Sequence, residues 1–155
     1  AQRRAEDAAK KARQDAIAAQ RASDQDLLRL YARPSDVERS RKRKADEIES
    51  YMQLQFLSWA DLEQKLEKAQ QQAANFERRG QEVPPDLRLE VVQLQNGIRD
   101  SENNIHQRQQ ELEDSTREFA VQYERVRVLQ VYPPGTLDED VDLDRVDQIL
   151  EKRNE

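Results

Sequence analysis

Two stretches of this chain place apolar or small residues in steps of three and four, and a Pro-Pro turn stands between them. The first runs Arg41, Ala45, Ile48, Met52, Gln55, Trp59, Leu62, Leu66, Ala69, Ala73, Phe76. The second runs Leu87, Val91, Leu94, Ile98, Ser101, Ile105, Arg108, Leu112, Ser115, Phe119, Gln122, Val126, Leu129. A mean step of about 3.5 residues is the period of a coiled-coil seam. Gly80 suits the C-cap of the first helix, and Val83-Pro84-Pro85-Asp86 puts a proline in the first turn of the next. Two long helices joined by about six residues must lie antiparallel.

That topology carries an internal check, because facing residues in a hairpin have numbers that add to a constant. Phe76 pairs with Leu87, Ala73 with Val91, Ala69 with Leu94, Leu66 with Ile98, and so on to Ala45 with Phe119 and Arg41 with Gln122. Each pair gives the same total, give or take one. Large meets small at Ala45–Phe119 and Ala73–Val91, and polar meets polar at Gln55–Arg108 and Arg41–Gln122. The expected fold is therefore all-α: a long antiparallel two-helix coiled-coil hairpin over residues 34–132, with its turn at 80–86. Residues 1–33 form an Ala/Arg-rich lead with a short helix, and residues 133–155 an acidic tail with a short amphipathic helix at Leu143, Val146 and Leu150. The capping-box spacing of Ser35 and Glu38 predicts the start of the first long helix. Each arm of roughly 45 residues implies a rod of about 65 Å. The Ala stripe of residues 1–22 buries little, which predicts a frayed or partner-dependent helix there.

Composition agrees. Of 155 residues, 35% are hydrophobic, 37% charged and 5% aromatic, with three Gly, five Pro and no Cys. An ordinary globular domain is about 45–50% apolar, so a conventional enzyme core is excluded. Disulfide scaffolds, zinc ribbons and phosphate-cradling loops are excluded by the absence of Cys and the scarcity of Gly, and no run of about 20 apolar residues exists to cross a membrane. Residues 1–44 carry 13 Lys and Arg against 7 Asp and Glu, whereas 130–155 carry 3 against 8. The net charge of −6 does not favour nucleic acid. No secretory signal opens the chain and it begins without Met, which fits an excised or mature segment.

His106 beside Ile105 reads as a solvated surface histidine, and no catalytic residue, cofactor site or metal site is assigned. Asp140, Asp142, Asp144 and Glu151 match four ligand positions of a calcium loop, but Arg145 stands where the turn needs Gly, so an acidic helix start is the better reading. Arg39, Arg41, Lys42, Arg43 and Lys44 resemble a basic-zipper run. Arg41 falls opposite Gln122 within the hairpin, which makes nucleic-acid binding the alternative reading only.

The candidate interaction residues are the off-seam apolar group Tyr51, Leu54, Phe56 and Leu57, and the turn residues Arg78, Arg79, Gln81 and Glu82. Val121, Tyr123, Val128, Val131 and Tyr132 are expected to meet Leu27, Leu28, Leu30 and Tyr31. A second copy covering the exposed apolar surface predicts a homodimer, and the function expected is a spacer or scaffold mediating protein contact. A tip that docks an adaptor partner, or a chaperone-like clamp, is a further alternative.

Leu27-Leu28-Arg29-Leu30-Tyr31, the run Asp36 to Arg43, and the turn Glu77-Arg78-Arg79-Gly80-Gln81-Glu82-Val83-Pro84-Pro85-Asp86-Leu87 resemble a group of proteobacterial cell-envelope proteins of unknown function. The resemblance covers roughly residues 24–129. It implies a helical hairpin reached through an Ala/Arg-rich linker from a small N-terminal β domain, export to the periplasm, and no catalytic residues.

Overall fold

The computed structural model describes residues 1–154. Four α-helices follow in order: α1 Gln2–Leu30, α2 Pro34–Arg78, α3 Pro85–Leu129 and α4 Leu143–Asn154, with a single 3₁₀ turn at Asp138–Asp140 before α4. The chain forms two compact units. One comprises Ala1–Lys42 with the chain from Thr116 on, the other Arg43–Ser115.

The second unit is built on the seam. From Ala45 to Phe76 every seam residue of α2 is buried or half-buried, while nearly all other positions are exposed. The facing stripe of α3 supplies the buried Leu87, Leu94, Ile98, Ser101 and Ile105. Contacts along the pair fix its direction. A methyl group at Gly97 would sit 3.2 Å from Leu62 Cδ1. The Trp59 indole N–H donates to Glu102 at 3.1 Å. The Arg108 guanidinium lies 5.2 Å from the Tyr51 ring centroid, and Lys44 meets Glu111 at 3.2 Å. Numbers fall along α2 as they rise along α3, so the helices run antiparallel. Near the turn, Ala69, Leu87 and Leu94 form a core joined by Leu62, Leu66, Ala73, Phe76, Val83 and Val91. Each fully buried Leu or Ile contributes about 1.5–3 kcal/mol.

The turn follows from its residues. Gly80 takes φ +71. The Gln81 amide donates to the Phe76 carbonyl and the Gly80 amide to Glu77, both at 3.0 Å, which is the Schellman closure. Pro85 opens α3, where its missing N–H costs nothing, and Asp86 places a carboxylate in the first turn.

Two local expectations give way. Residues 1–22 belong to one 29-residue helix, α1, rather than a short one; its Ala stripe is exposed over residues 1–16, and the C-terminal segment packs on it from Arg13 onward. Arg13 pairs with Glu139 at 2.9 Å and Asp140 at 2.7 Å, and Gly135 lies against Ile17 and Arg21. The start of α2 lies at Pro34 rather than being set by Ser35 and Glu38. Asp36 reaches back to accept the Arg33 amide at 3.0 Å, and this hydrogen bond, the main cause, holds its carboxyl below the usual range. Glu38 instead pairs with Arg41 at 3.1 Å.

In the first unit the buried apolar residues are Val37, Val126, Val128 and Val146. Gln130 donates to the Ala32 carbonyl at 3.1 Å, tying the α1–α2 connection to the end of α3. Asp142 caps α4 by accepting the amides of Asp144 at 3.1 Å and Arg145 at 3.3 Å. The acidic start of α4 is thus a capped helix terminus.

Two glycines hold positive φ for different reasons. At Gly80 an added Cβ meets nothing within 4 Å, whereas at Gly135 (φ +94) it would lie 3.2 Å from Arg21 Cβ and 3.3 Å from the Ile17 carbonyl oxygen. We predict that Gly80→Ala costs about 1–2 kcal/mol, the left-handed penalty alone. Gly135→Ala should cost measurably more, because backbone as well as side chain must move. Urea unfolding of the two variants measures the order, and equal losses would contradict it.

Candidate interaction surfaces

The four off-seam apolar residues of α2 are all exposed: Leu54 65%, Leu57 64%, Phe56 47% and Tyr51 41%. They do not form one patch. Steps of three set Tyr51, Leu54 and Leu57 in a strip along one side of the helix. Phe56 lies on the other flank, where it joins Trp59, Glu102, Ile105 and His106 around a shallow depression of about 230 Å³. His106 is exposed and takes its place in that open surface.

At the turn, Arg78, Arg79, Gln81 and Glu82 are exposed around Gly80, with Arg78 donating to Asn75 at 3.2 Å. The basic run is partly engaged by its own chain: Arg39 with Asp36, Arg41 with Glu38, and Lys44 with Glu111. The polar seam positions Arg41, Gln55, Arg108 and Gln122 are all half-buried. Arg108 turns its guanidinium to Glu111 and the Tyr51 ring, an ion pair within α3 joined to a stacking contact across the helices.

A buried carboxylate with four hydrogen bonds is a group that the periodicity did not single out. Asp24 on α1 is 1% exposed. Its carboxylate accepts from Arg125 Nε at 2.8 Å and from the second guanidinium nitrogen at 2.7 Å, a two-point pair. It also accepts the Gly135 amide at 2.9 Å and Gln20 Nε2 at 2.9 Å. Arg125 in turn donates to the Thr136 carbonyl at 2.6 Å and reaches Asp138 at 3.3 Å. Burial on its own would raise the Asp24 carboxyl, but the bonds from Arg125, Gly135 and Gln20 outweigh it and hold the carboxyl below its ordinary range. Arg125 is held above its own ordinary value, chiefly by its bond to Asp24. A signal was present in the sequence: Ile17, Gln20, Asp24, Leu27 and Tyr31 follow steps of three and four, so a carboxylate occupies the covered face of α1 and needs a cation.

The expected meeting of α1 with the end of α3 occurs in part. Leu27 and Leu30 of α1 and Val121 and Val128 of α3 line one open groove of about 720 Å³. No group of three or more His, Cys, Asp or Glu placed to hold a metal ion occurs among the described residues, and no helix among them is long and apolar enough to cross a membrane. No family model, curated protein or solved structure matches the chain.

Removing one partner of a buried ion pair costs about 3–5 kcal/mol, so Asp24→Asn should lower stability at pH 7 by roughly that much. Because the folded carboxyl is depressed, its contribution is present above the unfolded carboxylate value of about 3.9 and fades as pH falls through the lower, folded value. The gap between wild type and Asp24→Asn should therefore narrow in acid. Thermal unfolding from pH 7 down to 2 measures it, and a gap independent of pH would refute the pair as its source.

Proposed function

We propose that this chain is a non-enzymatic interaction module, a helical scaffold whose long helices pair as an antiparallel coiled coil and whose flanks bind protein. The observation that carries this reading is the strip Tyr51, Leu54 and Leu57. The seam of the second unit is already covered by α2–α3 pairing, so the exposed Leu54 and Leu57 side chains are left over from it, while the Tyr51 ring beside them also receives Arg108. A contiguous apolar surface of this kind marks an interaction site. A second copy of the chain is the occupant we assign to the strip. Residues 45–64 carry five carboxylates and no Lys or Arg, so like charges flank such a dimer. Exposed charge pairs are worth only about 0.2–1 kcal/mol, less than the burial of Leu54 and Leu57, and salt should strengthen the association.

The engagement of Arg39, Arg41 and Lys44 by carboxylates of the same chain argues for protein contact over nucleic-acid binding. The exposed turn residues Arg78, Arg79, Gln81 and Glu82 are a second contact point by virtue of their position. A cell-envelope setting rests on the sequence resemblance at the Leu27–Tyr31, Asp36–Arg43 and Glu77–Leu87 segments alone.

Light scattering tests the dimer. Wild type should have the mass of two chains at micromolar concentration, more fully so as salt rises. Leu54→Ser with Leu57→Ser should raise the dissociation constant by at least about 100-fold, as the loss of two buried leucines demands, while Phe56→Ser should leave it unchanged. A monomeric wild type, or equal effects of the strip and Phe56 variants, would contradict the assignment.

A further inference from the structure

A second surface stands apart from the α2 strip. The groove of the first unit takes Leu27 and Leu30 from α1, Val121 and Val128 from α3, and Val141 and Leu143 from the C-terminal segment. Leu30 and Val121 are each 71% exposed and Leu143 52%, so three large apolar side chains of a single groove face water.

Its lining carries more acid than base. Asp26, Glu124 and Asp138 line the groove, and Arg125 is the single Lys or Arg among the lining residues. That guanidinium is committed to Asp24, Thr136 and Asp138. Asp26 pairs with Arg29 at 3.0 Å and Glu124 with Arg127 at 3.6 Å, but Arg127 also meets Asp147. On the lining itself three carboxylates, each with one arginine partner, thus stand against one guanidinium, which leaves an acid-rich rim around an apolar floor. Asp138, 94% exposed, carries its charge into solvent.

The α1 wall runs from Gln20 to Leu30, about 15 Å or three turns at 1.5 Å per residue. Two helices flanking an apolar floor of that length are the geometry that receives a third, amphipathic helix. We propose that this groove binds a basic amphipathic helix from another protein: an apolar face of three to four turns seated on Leu30, Val121 and Leu143, with Lys and Arg on its flanks meeting Asp26, Glu124 and Asp138. The chain's own exposed strip does not fit, since residues 45–64 are acidic without a single cation.

Fluorescence anisotropy with the full chain tests this. The probe is a labelled helix-forming peptide of about four turns, with Leu at i, i+3, i+4 and i+7 and Lys on both flanks. Its dissociation constant should be on the order of 10 μM at low salt and weaken as salt rises. Replacing its Lys by Glu should weaken binding at least about tenfold, as should Leu30→Lys with Val121→Lys in the protein. Leu30→Ser with Val121→Ser should act in the same direction with less perturbation, and circular dichroism should show unchanged helix content. Leu54→Ser with Leu57→Ser should leave peptide binding intact, which separates this site from the dimer strip. Absence of binding at about 1 mM peptide, equal binding of the Glu peptide, or indifference to the groove variants would overturn the proposal. Dissociation of a wild-type dimer by the groove variants would also overturn it, because the occupant would then be a second copy.

Discussion

Burial of one narrow stripe between α2 and α3 is the interaction on which the second unit depends. With no β-structure to share the load, Arg43–Ser115 has two helix faces to hide and only each other to hide them against. The consequence appears residue by residue: seam positions are covered or half-covered, and most residues between them carry charge or amide groups into water, Tyr51, Leu54, Phe56 and Leu57 being exceptions. Gly97 extends the same logic, since its missing side chain leaves room for Leu62. So does Ser101, a small residue buried on a seam whose neighbours are Ile98 and Ile105.

The first unit solves a different problem. Its helices are richer in Ala and in charge, and its buried apolar residues are valines rather than a continuous stripe. A polar network does what the apolar side chains cannot. Asp24 gathers Arg125, Gly135 and Gln20, and so ties α1, α3 and the segment before α4 into one body. A buried ion pair is a poor source of net stability, because desolvation offsets much of its attraction. Its value lies in specificity: α1 has few large apolar groups to fix its register, and a carboxylate with four bonded donors tolerates no slip.

The part of the fold legible in the sequence was the part governed by periodicity. The seam, the Gly80 turn, the Pro85 start and the capped helix after Asp142 are local signals, each readable from spacing and residue type. What was not legible depended on partners distant in sequence. The order of α1 rests on Arg13, Ile17 and Arg21 meeting a segment more than 100 residues away, and an Ala-rich stretch read alone gives no hint of that cover. Asp24 sat on a recognisable stripe, but nothing local named Arg125. At the surface, spacing identified the exposed apolar residues of α2; only the geometry separated Phe56 from the strip of Tyr51, Leu54 and Leu57.

These two styles of construction leave two exposed apolar surfaces, the α2 strip that we propose pairs with a like-charged copy and the acid-rich groove that we propose takes a cationic helix, and the two should respond to salt in opposite ways. The strip rests on the antiparallel pairing of α2 with α3, since a different pairing would expose a different face of α2. Cysteines introduced by Leu66→Cys and Ile98→Cys, in a protein without native cysteine, test that pairing most directly. A short bis-maleimide should join them within one chain at high dilution, giving a species with the mass of a monomer. Crosslinking only between chains would contradict the account.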